Sequence, residues 1–542
     1  MPANASACLP KDEADPFAMG VKTSVSFGNR FNIYSICILS FGAFFYGYDS
    51  GLTTSIIGYP QFIAYFNFNS NTLGALGSCY YAGSFFGSGM NFWLPDKYGR
   101  KLTIYIACAV ALIGAVLQTA AQNIEMLFIG RVIGGIASGL VFGVCPMFMS
   151  EISPPEVRGR VGGLYNLNIN LGYALTEWMG LGFSYISSDV AWRLFLGLQC
   201  LPPVLMAVTT PYLPESPRFL IMRGRYEEAL DVIKRLHHVD KPHNSSDSSG
   251  NDEDEDDFYI REFNQIKAQH ELEVTERVGL STILRRPSYR KRMFIVVFQF
   301  AFAMFTGIIP LQNYQFILYT YLGVTQKLAL VMVGVWGTLG TIFCIFGALS
   351  FDKLGRRKSL LGSLWVQFLA SIAMVIFWAR FQASNNTNLL LGRFTVGFMF
   401  VYLVGYAFIM NAFGYTYPSE IMPTPIRAAG NAVAFCTFNA ITIMLVQVTP
   451  IAIEEIAWRY FLIFIICDAV FIVVVYLVYP ETVGKTLEEI AALFGDEVAV
   501  GIQEARRVLG GVGEEKAAGS GQDRDKGVVE MADEKATHAH RE

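Results

Sequence analysis

Charge is scarce in this chain. Only 16% of its 542 residues are Asp, Glu, Lys or Arg, and 53% are hydrophobic, whereas a soluble domain carries roughly 25% charged residues. That balance points away from a soluble surface and toward lipid. The nine cysteines lack any metal-ligand or C-x-x-C spacing. Most of them, Cys37, Cys108, Cys145, Cys344 and Cys467 included, fall inside apolar runs. Motifs of the H-E-x-x-H or G-x-S-x-G type are missing, as is an intramembrane pair of aspartates. We therefore expect no metal, no cofactor, no disulfide framework, no enzymatic chemistry and no nucleic-acid partner.

What is abundant is apolar sequence in long runs, with a mean hydropathy of +0.38. Crossing about 30 Å of hydrocarbon takes roughly 17–25 residues of helix. Runs of that length lie near 31–53, 74–94, 102–121, 125–149, 160–182, 191–210, 291–321, 327–350, 358–380, 391–416, 427–452 and 459–479. The lipid bilayer is thus the surrounding partner. The first run follows a polar stretch holding Lys11, Asp12, Glu13 and Asp15 and lacks a small-residue cleavage site, so it reads as a true span.

Orientation follows from Lys and Arg, which are retained on the cytoplasmic side near helix ends. Lys97, Arg100, Lys101, Arg158, Arg160, Lys353, Arg356, Arg357 and Lys358 crowd one set of turns, while 54–73 and 122–124 hold no basic residue. Both termini are expected in the cytoplasm, and the protein in the plasma membrane as a multi-pass chain. The sequon at Asn385 falls in an expected outside loop and is a glycosylation candidate, unlike Asn4 and Asn244.

The chain repeats itself. Asp96-Lys97-Tyr98-Gly99-Arg100 returns as Asp352-Lys353-Leu354-Gly355-Arg356, an offset of 352 − 96 = 256. Ser150-Glu151-Ile152 with Arg158 returns as Ser419-Glu420-Ile421 with Arg427, an offset of 427 − 158 = 269. Each half should carry one copy of any working part. The expected architecture is an all-α membrane protein, twelve transmembrane helices in two six-helix bundles, residues 31–210 and 291–479. A tail of 1–30, a cytoplasmic linker of 211–290 and a tail of 480–542 complete it. Within the linker, Tyr226–Leu236 and Arg261–Glu276 have amphipathic helical spacing, whereas the acidic 244–257 stretch should be disordered.

At these motifs the sequence resembles the sugar porter family of the major facilitator superfamily, most nearly its fungal members, over roughly 31–494. Further matches are Gly130-Arg131 with Gly134, Gly135 and Gly139, then Pro214-Glu215-Ser216-Pro217-Arg218, and Pro480-Glu481-Thr482 running on to Gly484-Lys485-Thr486-Leu487-Glu488-Glu489. The resemblance implies alternating access between two bundles. It also implies a cytoplasmic charge network of Asp96, Arg100, Glu151, Arg158, Glu215 and Arg218 with Asp352, Arg356, Glu420, Arg427 and Glu481. In the family that network pairs across the halves in the outward-open state and breaks in the inward-open one.

Ionisable groups inside a span are costly and default to functional hypotheses. Asp49, in Gly47-Tyr48-Asp49-Ser50-Gly51, stands where proton-coupled relatives place an acid, and Arg131 is its expected partner. The expected mechanism is proton symport, with a structural ion pair as the competing reading. Glu177 and Asp468 are also intramembrane acids, but no family role maps onto them, and they read as satisfied interior residues.

Where a sugar site needs amides and aromatics, the sequence departs from the family. The usual span-five Gln is Asn166, and Ala303-Met304-Phe305-Thr306-Gly307-Ile308-Ile309 replaces an amide-rich run. Candidate solute contacts are Asn166, Gln312, Asn313, Tyr314, Tyr415, Asn439 and Thr442. The expected partners are protons and a small polar solute: a sugar, another polyol, a disaccharide, a quinate-type acid or a secondary metabolite. Export of a metabolite and nutrient sensing without transport are the competing functions.

Overall fold

The computed structural model describes residues 30–153, 158–237, 259–260, 263–264, 266–267, 285–410, 413–414, 417–418, 421–422, 424–482, 490 and 493–495. The acidic linker run, most of Arg261–Glu276, Tyr415 and Glu420 lie outside them, as do the side chains of Arg158, Asp352 and Arg427.

Among the described residues twelve helical passes follow one another. The first half runs α1 (Arg30–Ile56), α2 (Ser70–Met90), α3 (Arg100–Thr119), α4 (Ile124–Ile152), α5 (Arg158–Phe183) and α6 (Val190–Tyr212). The second runs α7 (Pro287–Phe305, then Ile308–Asn313 and Gln315–Tyr321), α8 (Gln326–Leu354), α9 (Arg356–Ala383), α10 (Leu389–Met410), α11 (Thr424–Ile456) and α12 (Phe461–Val478). All lie in one compact unit, 1–485, and residues 486–542 form a second. The linker helix Tyr226–His237 is present where its spacing predicts one.

Among the described residues eight helical stretches meet the length and hydropathy of a membrane span, one of them, Gly430–Val478, covering parts of α11 and α12. The passes outside that set are α2, α5 and α7. Their polarity has a positional reason: α2 packs on α11 and α5 on α8, so these two helices form the seam between the bundles, while α7 faces the cavity described below. Within the halves, α1 packs on α5, α2 and α3 on α4, α9 on α10 and α12, and α7 on α11.

Lipid offers no hydrophobic gain for joining two apolar helices, so close packing must hold them. Glycine supplies it between α2 and α4. A Cβ on Gly83 would sit 2.1 Å from the Val132 carbonyl oxygen, and one on Gly135 2.0 Å from that of Tyr80.

The duplicated turn is reproduced at atomic detail. Gly99 and Gly355 take φ of +95° and +87°, a conformation open to glycine and strained for other residues, and each launches the next helix. In both halves an acid then caps that helix. Glu215 Oε1 accepts from the Arg100 amide at 3.2 Å, and Glu481 accepts from the Arg356 and Arg357 amides at 2.7 and 3.1 Å. The offset of the acids, 481 − 215 = 266, falls between the two offsets of the other repeats. Burial pushes the Glu215 carboxyl above its usual range, opposed by the amides of Ser216, Arg100 and Lys101 and by the Arg100 guanidinium.

Candidate functional site: a central cavity beside a buried ion pair

A cavity of about 100 Å³ lies between the halves, with Tyr46, Tyr81, Asn166, Asn170, Tyr173 and Glu177 on one side and Met304, Ile308, Gln312, Trp336, Tyr406 and Phe438 on the other. Three breaks in regular helix shape the second side. Gly307, at φ +98° and pressed on the Phe464 ring, interrupts α7; Tyr314 interrupts it again; and α10 ends in a π-turn at Tyr406–Met410. Such breaks turn polar groups away from the ladder of the helix and are tolerated in a membrane where they line a cavity.

Two of the expected solute contacts, Asn166 and Gln312, line this space. Asn166 also reaches Cys344 Sγ across the seam at 3.5 Å. The others are placed elsewhere. Asn313 is buried and its amide donates to the Ile309 carbonyl of its own helix at 3.2 Å. Tyr314 is fully buried and donates to the Val446 carbonyl at 2.8 Å, which ties α7 to α11. Asn439 donates to the Phe435 carbonyl at 2.9 Å and lies 3.5 Å from Ser88 Oγ on α2. Thr442 is buried, and Tyr415 lies outside the described residues.

The cavity residues that the sequence argument passed over are Asn170 and Tyr173, and Glu177, read there as an interior acid, joins them. Positions 166, 170, 173 and 177 step by four, three and four, which puts all of them on one stripe of α5. That spacing was the available signal.

Beside the cavity, Asp49 and Arg131 form a buried pair, Arg131 Nη1 to Asp49 Oδ1 at 3.9 Å, with side-chain exposures of 4% and 3%. Ser138 Oγ donates to Asp49 Oδ2 at 2.9 Å. Arg131 also donates to Thr53 Oγ1 and, at 3.3 Å, to the Leu76 carbonyl, and its guanidinium lies 4.6 Å from the centre of the Tyr80 ring. Neither charge lines the cavity. A hydroxyl chain connects the two places: Tyr173 Oη donates to Ser50 Oγ at 2.7 Å, and Ser50 Oγ is 3.2 Å from Tyr81 Oη. Ser50 follows Asp49 directly, so the cavity wall and the ion pair share one turn of α1.

The halves meet at the end of the bundle where α1 finishes. There Ser78 donates to Gln447 at 2.7 Å, Gln326 to the Gly58 carbonyl at 2.9 Å, Thr54 to the Gln312 carbonyl at 3.2 Å and Trp178 to Thr338 at 2.8 Å. Ser70 also donates to Glu454. Toward the opposite end, Phe435 of α11 packs against Phe142 of α4 and Phe300 of α7, with ring centres 5.0 and 5.4 Å apart.

Of the expected charge network, Arg100 is the best defined. It makes two bonds to Glu151, at 2.9 and 2.8 Å, approaches Asp96 at 3.2 Å and donates to the Pro95 carbonyl. These described pairs stay within the first half, as the Glu481 bonds to the Arg356 and Arg357 amides stay within the second. Arg218 is partly buried beside the Glu215 turn.

The comparisons agree with this geometry. A family profile described as "Sugar (and other) transporter" matches residues 35–494. The MFS-type transporter criB of Aspergillus cristatus is 30% identical over 463 residues, covering 85% of this chain and 93% of the relative. The high-affinity glucose transporter of Kluyveromyces lactis is 28% identical, with 87% of each chain covered. Among solved structures, the proton:xylose symporter XylE superposes with a TM-score of 0.69 at 19% identity, over 86% of this chain and 99% of that one. That likeness concerns the fold.

Proposed function

The chain belongs to the sugar (and other) transporter family of the major facilitator superfamily, and from that premise we propose that it is a secondary active carrier of a sugar or sugar-like polar solute, working by alternating access with proton symport. The observation that carries the reading is the cavity between the bundles, lined by amides and phenols and joined through Tyr173, Ser50 and Tyr81 to the turn that holds Asp49. Its relatives include a high-affinity glucose transporter by name, and a proton:xylose symporter shares its fold.

In this mechanism Asn166, Gln312 and the cavity phenols exchange hydrogen bonds with solute hydroxyls, replacing those lost to water. Asn313, Tyr314, Asn439 and Thr442 support that wall from behind, and Tyr415 is a further candidate solute contact. Asp49 takes up a proton from one side. Protonation removes its attraction for Arg131 of α4, whose other partners on α1 and α2 then fix the position of the three helices differently. The bundles comprise 31–210 and 291–479, joined by the 211–290 linker, in a plasma-membrane protein with both termini cytoplasmic. The Asp96, Arg100, Glu151, Arg158, Glu215 and Arg218 set and its counterpart Asp352, Arg356, Glu420, Arg427 and Glu481 act as the gate on the cytoplasmic face, and Asn385, exposed in the turn after α9, carries a glycan.

The test is uptake of labelled hexoses, pentoses, disaccharides, polyols and quinate into proteoliposomes, with and without an inward proton gradient. Gradient-driven accumulation of a hydroxylated solute supports the reading. Absence of flux for every solute, in both directions, refutes it.

A further inference from the structure

We propose that this carrier selects a sugar with one edge stripped of free hydroxyls, a deoxy or O-alkyl sugar, over the fully hydroxylated parent. The inference rests on the cavity being the solute site and names the class of sugar that suits it.

The two halves bring opposite chemistry to the cavity. From the first half, α5 presents Asn166, Asn170 and Tyr173. Asn170 donates to the Asn166 carbonyl at 2.9 Å and is only half-buried, as is Gln312 across the space, so both keep polar atoms for a solute. From the second half come Met304, Ile308, Ile309, Trp336, Leu403 and Phe438. The break in α7 builds much of this apolar wall, because Met304 precedes Gly307 by a turn, Ile308 and Ile309 follow it directly, and all three reach the cavity. The wall is also braced. The Trp336 ring lies 5.7 Å from that of Phe400, which stacks on Tyr319 with an interplanar angle of 9°.

In water every hydroxyl of a hexose is hydrogen-bonded. A hydroxyl that turns to Asn170 or Gln312 exchanges one partner for another. One that turns to Met304, Ile308 or Leu403 gives up water and receives nothing, a loss of about ten- to hundredfold in affinity. A hydrogen or a methyl group at the same carbon forfeits no bond and gains by leaving water for an apolar surface. Among the lining residues of that wall, the Tyr406 phenol and the Trp336 N–H are the side-chain donors besides Gln312. A ring bearing hydroxyls on all its edges therefore has more of them than the cavity can answer. A ring polar along one edge and apolar along the other matches both halves.

The experiment measures binding to the purified full-length protein, by thermal stabilisation and by competition. The probes are glucose, galactose and their derivatives in which one hydroxyl at a time is replaced by hydrogen or methoxy. The wild type should bind at least one derivative about ten- to hundredfold more tightly than its parent, while replacement at the carbons that meet Asn170 and Gln312 should weaken binding by a similar factor. M304Q and I308T place a polar group on the apolar wall and should erase most of the gain. I308T serves where M304Q does not fold, and the wild-type series decides alone where neither does. A wild type weakened by every replacement, a gain that survives in the folded variants, or binding of no probe overturns the proposal. The gain without flux of any sugar in proteoliposomes upholds it and refutes the transport reading, whereas sugar flux with a loss at every position does the reverse.

Discussion

Replacing Asp49 with Asn tests the coupling mechanism most directly, because the substitution keeps the shape and an acceptor for Ser138 while removing the charge. In an effective dielectric of about 20, two unit charges near 4 Å attract by about 4 kcal/mol, and the native pair stands at 3.9 Å with both side chains buried. One-sided removal of such a pair costs about 3–5 kcal/mol, because the remaining ion stays desolvated. Arg131 keeps Thr53, the Leu76 carbonyl and the face of Tyr80, so the folded protein should survive with a lowered melting temperature. Transport should change in kind. One pH unit is worth about 1.4 kcal/mol, a tenfold ratio, and 100 mV adds about 2.3 kcal/mol per charge. Together they allow a one-proton symporter to concentrate solute by up to about 500-fold. D49N should equilibrate solute at a ratio of one while still exchanging labelled for unlabelled solute. Uphill accumulation by D49N under the same gradients would refute the role given to this carboxylate.

Further expectations concern the gates, the caps and the surface. Gly74→Leu should slow net flux while leaving solute binding intact, because a Cβ there would already lie 2.5 Å from the Gln447 carbonyl oxygen and hold the seam apart; uptake rate and binding affinity, measured side by side, check it. Glu481→Ala removes the acceptor for the Arg356 and Arg357 amides and should destabilise the protein by about 1–3 kcal/mol, read as a lower melting temperature in detergent. Asn385→Gln should remove one glycan when the protein is made in eukaryotic cells, visible as a single step in electrophoretic mobility.

The twelve passes were legible in the sequence because lipid demands long apolar runs, and even the polar α2 and α5 each stood out beside a basic turn. The duplicated Asp–Gly–Arg turns announced two equivalent halves, and Gly99 and Gly355 show why: both hold a positive φ that a side chain would strain. The site was less legible. Asp49 and Arg131, expected together from their places in spans one and four, stand 3.9 Å apart, but of the amides expected to meet solute only Asn166 and Gln312 face the cavity. Asn313 and Tyr314 point elsewhere because α7 breaks at Gly307 and Tyr314, so a regular helical wheel loses its register across the breaks. Glu177 takes its place for a different reason, since it meets Gln315 and Gly337, which lie 138 and 160 positions away, only across the seam.

The seam where the halves meet is fastened by single bonds such as Ser78 to Gln447 and Gln326 to the Gly58 carbonyl, while the acid caps and the Arg100 cluster close inside their own halves. Each ordinary hydrogen bond is worth about 1 kcal/mol net, and much of that is regained from water when the seam parts. The two conformations therefore differ by an amount that a bound solute or a single proton can reverse, since a ligand shifts such an equilibrium by its difference in affinity for the two states. A tighter seam would make a sturdier protein and a slower one, with most molecules waiting in the wrong conformation for their cargo.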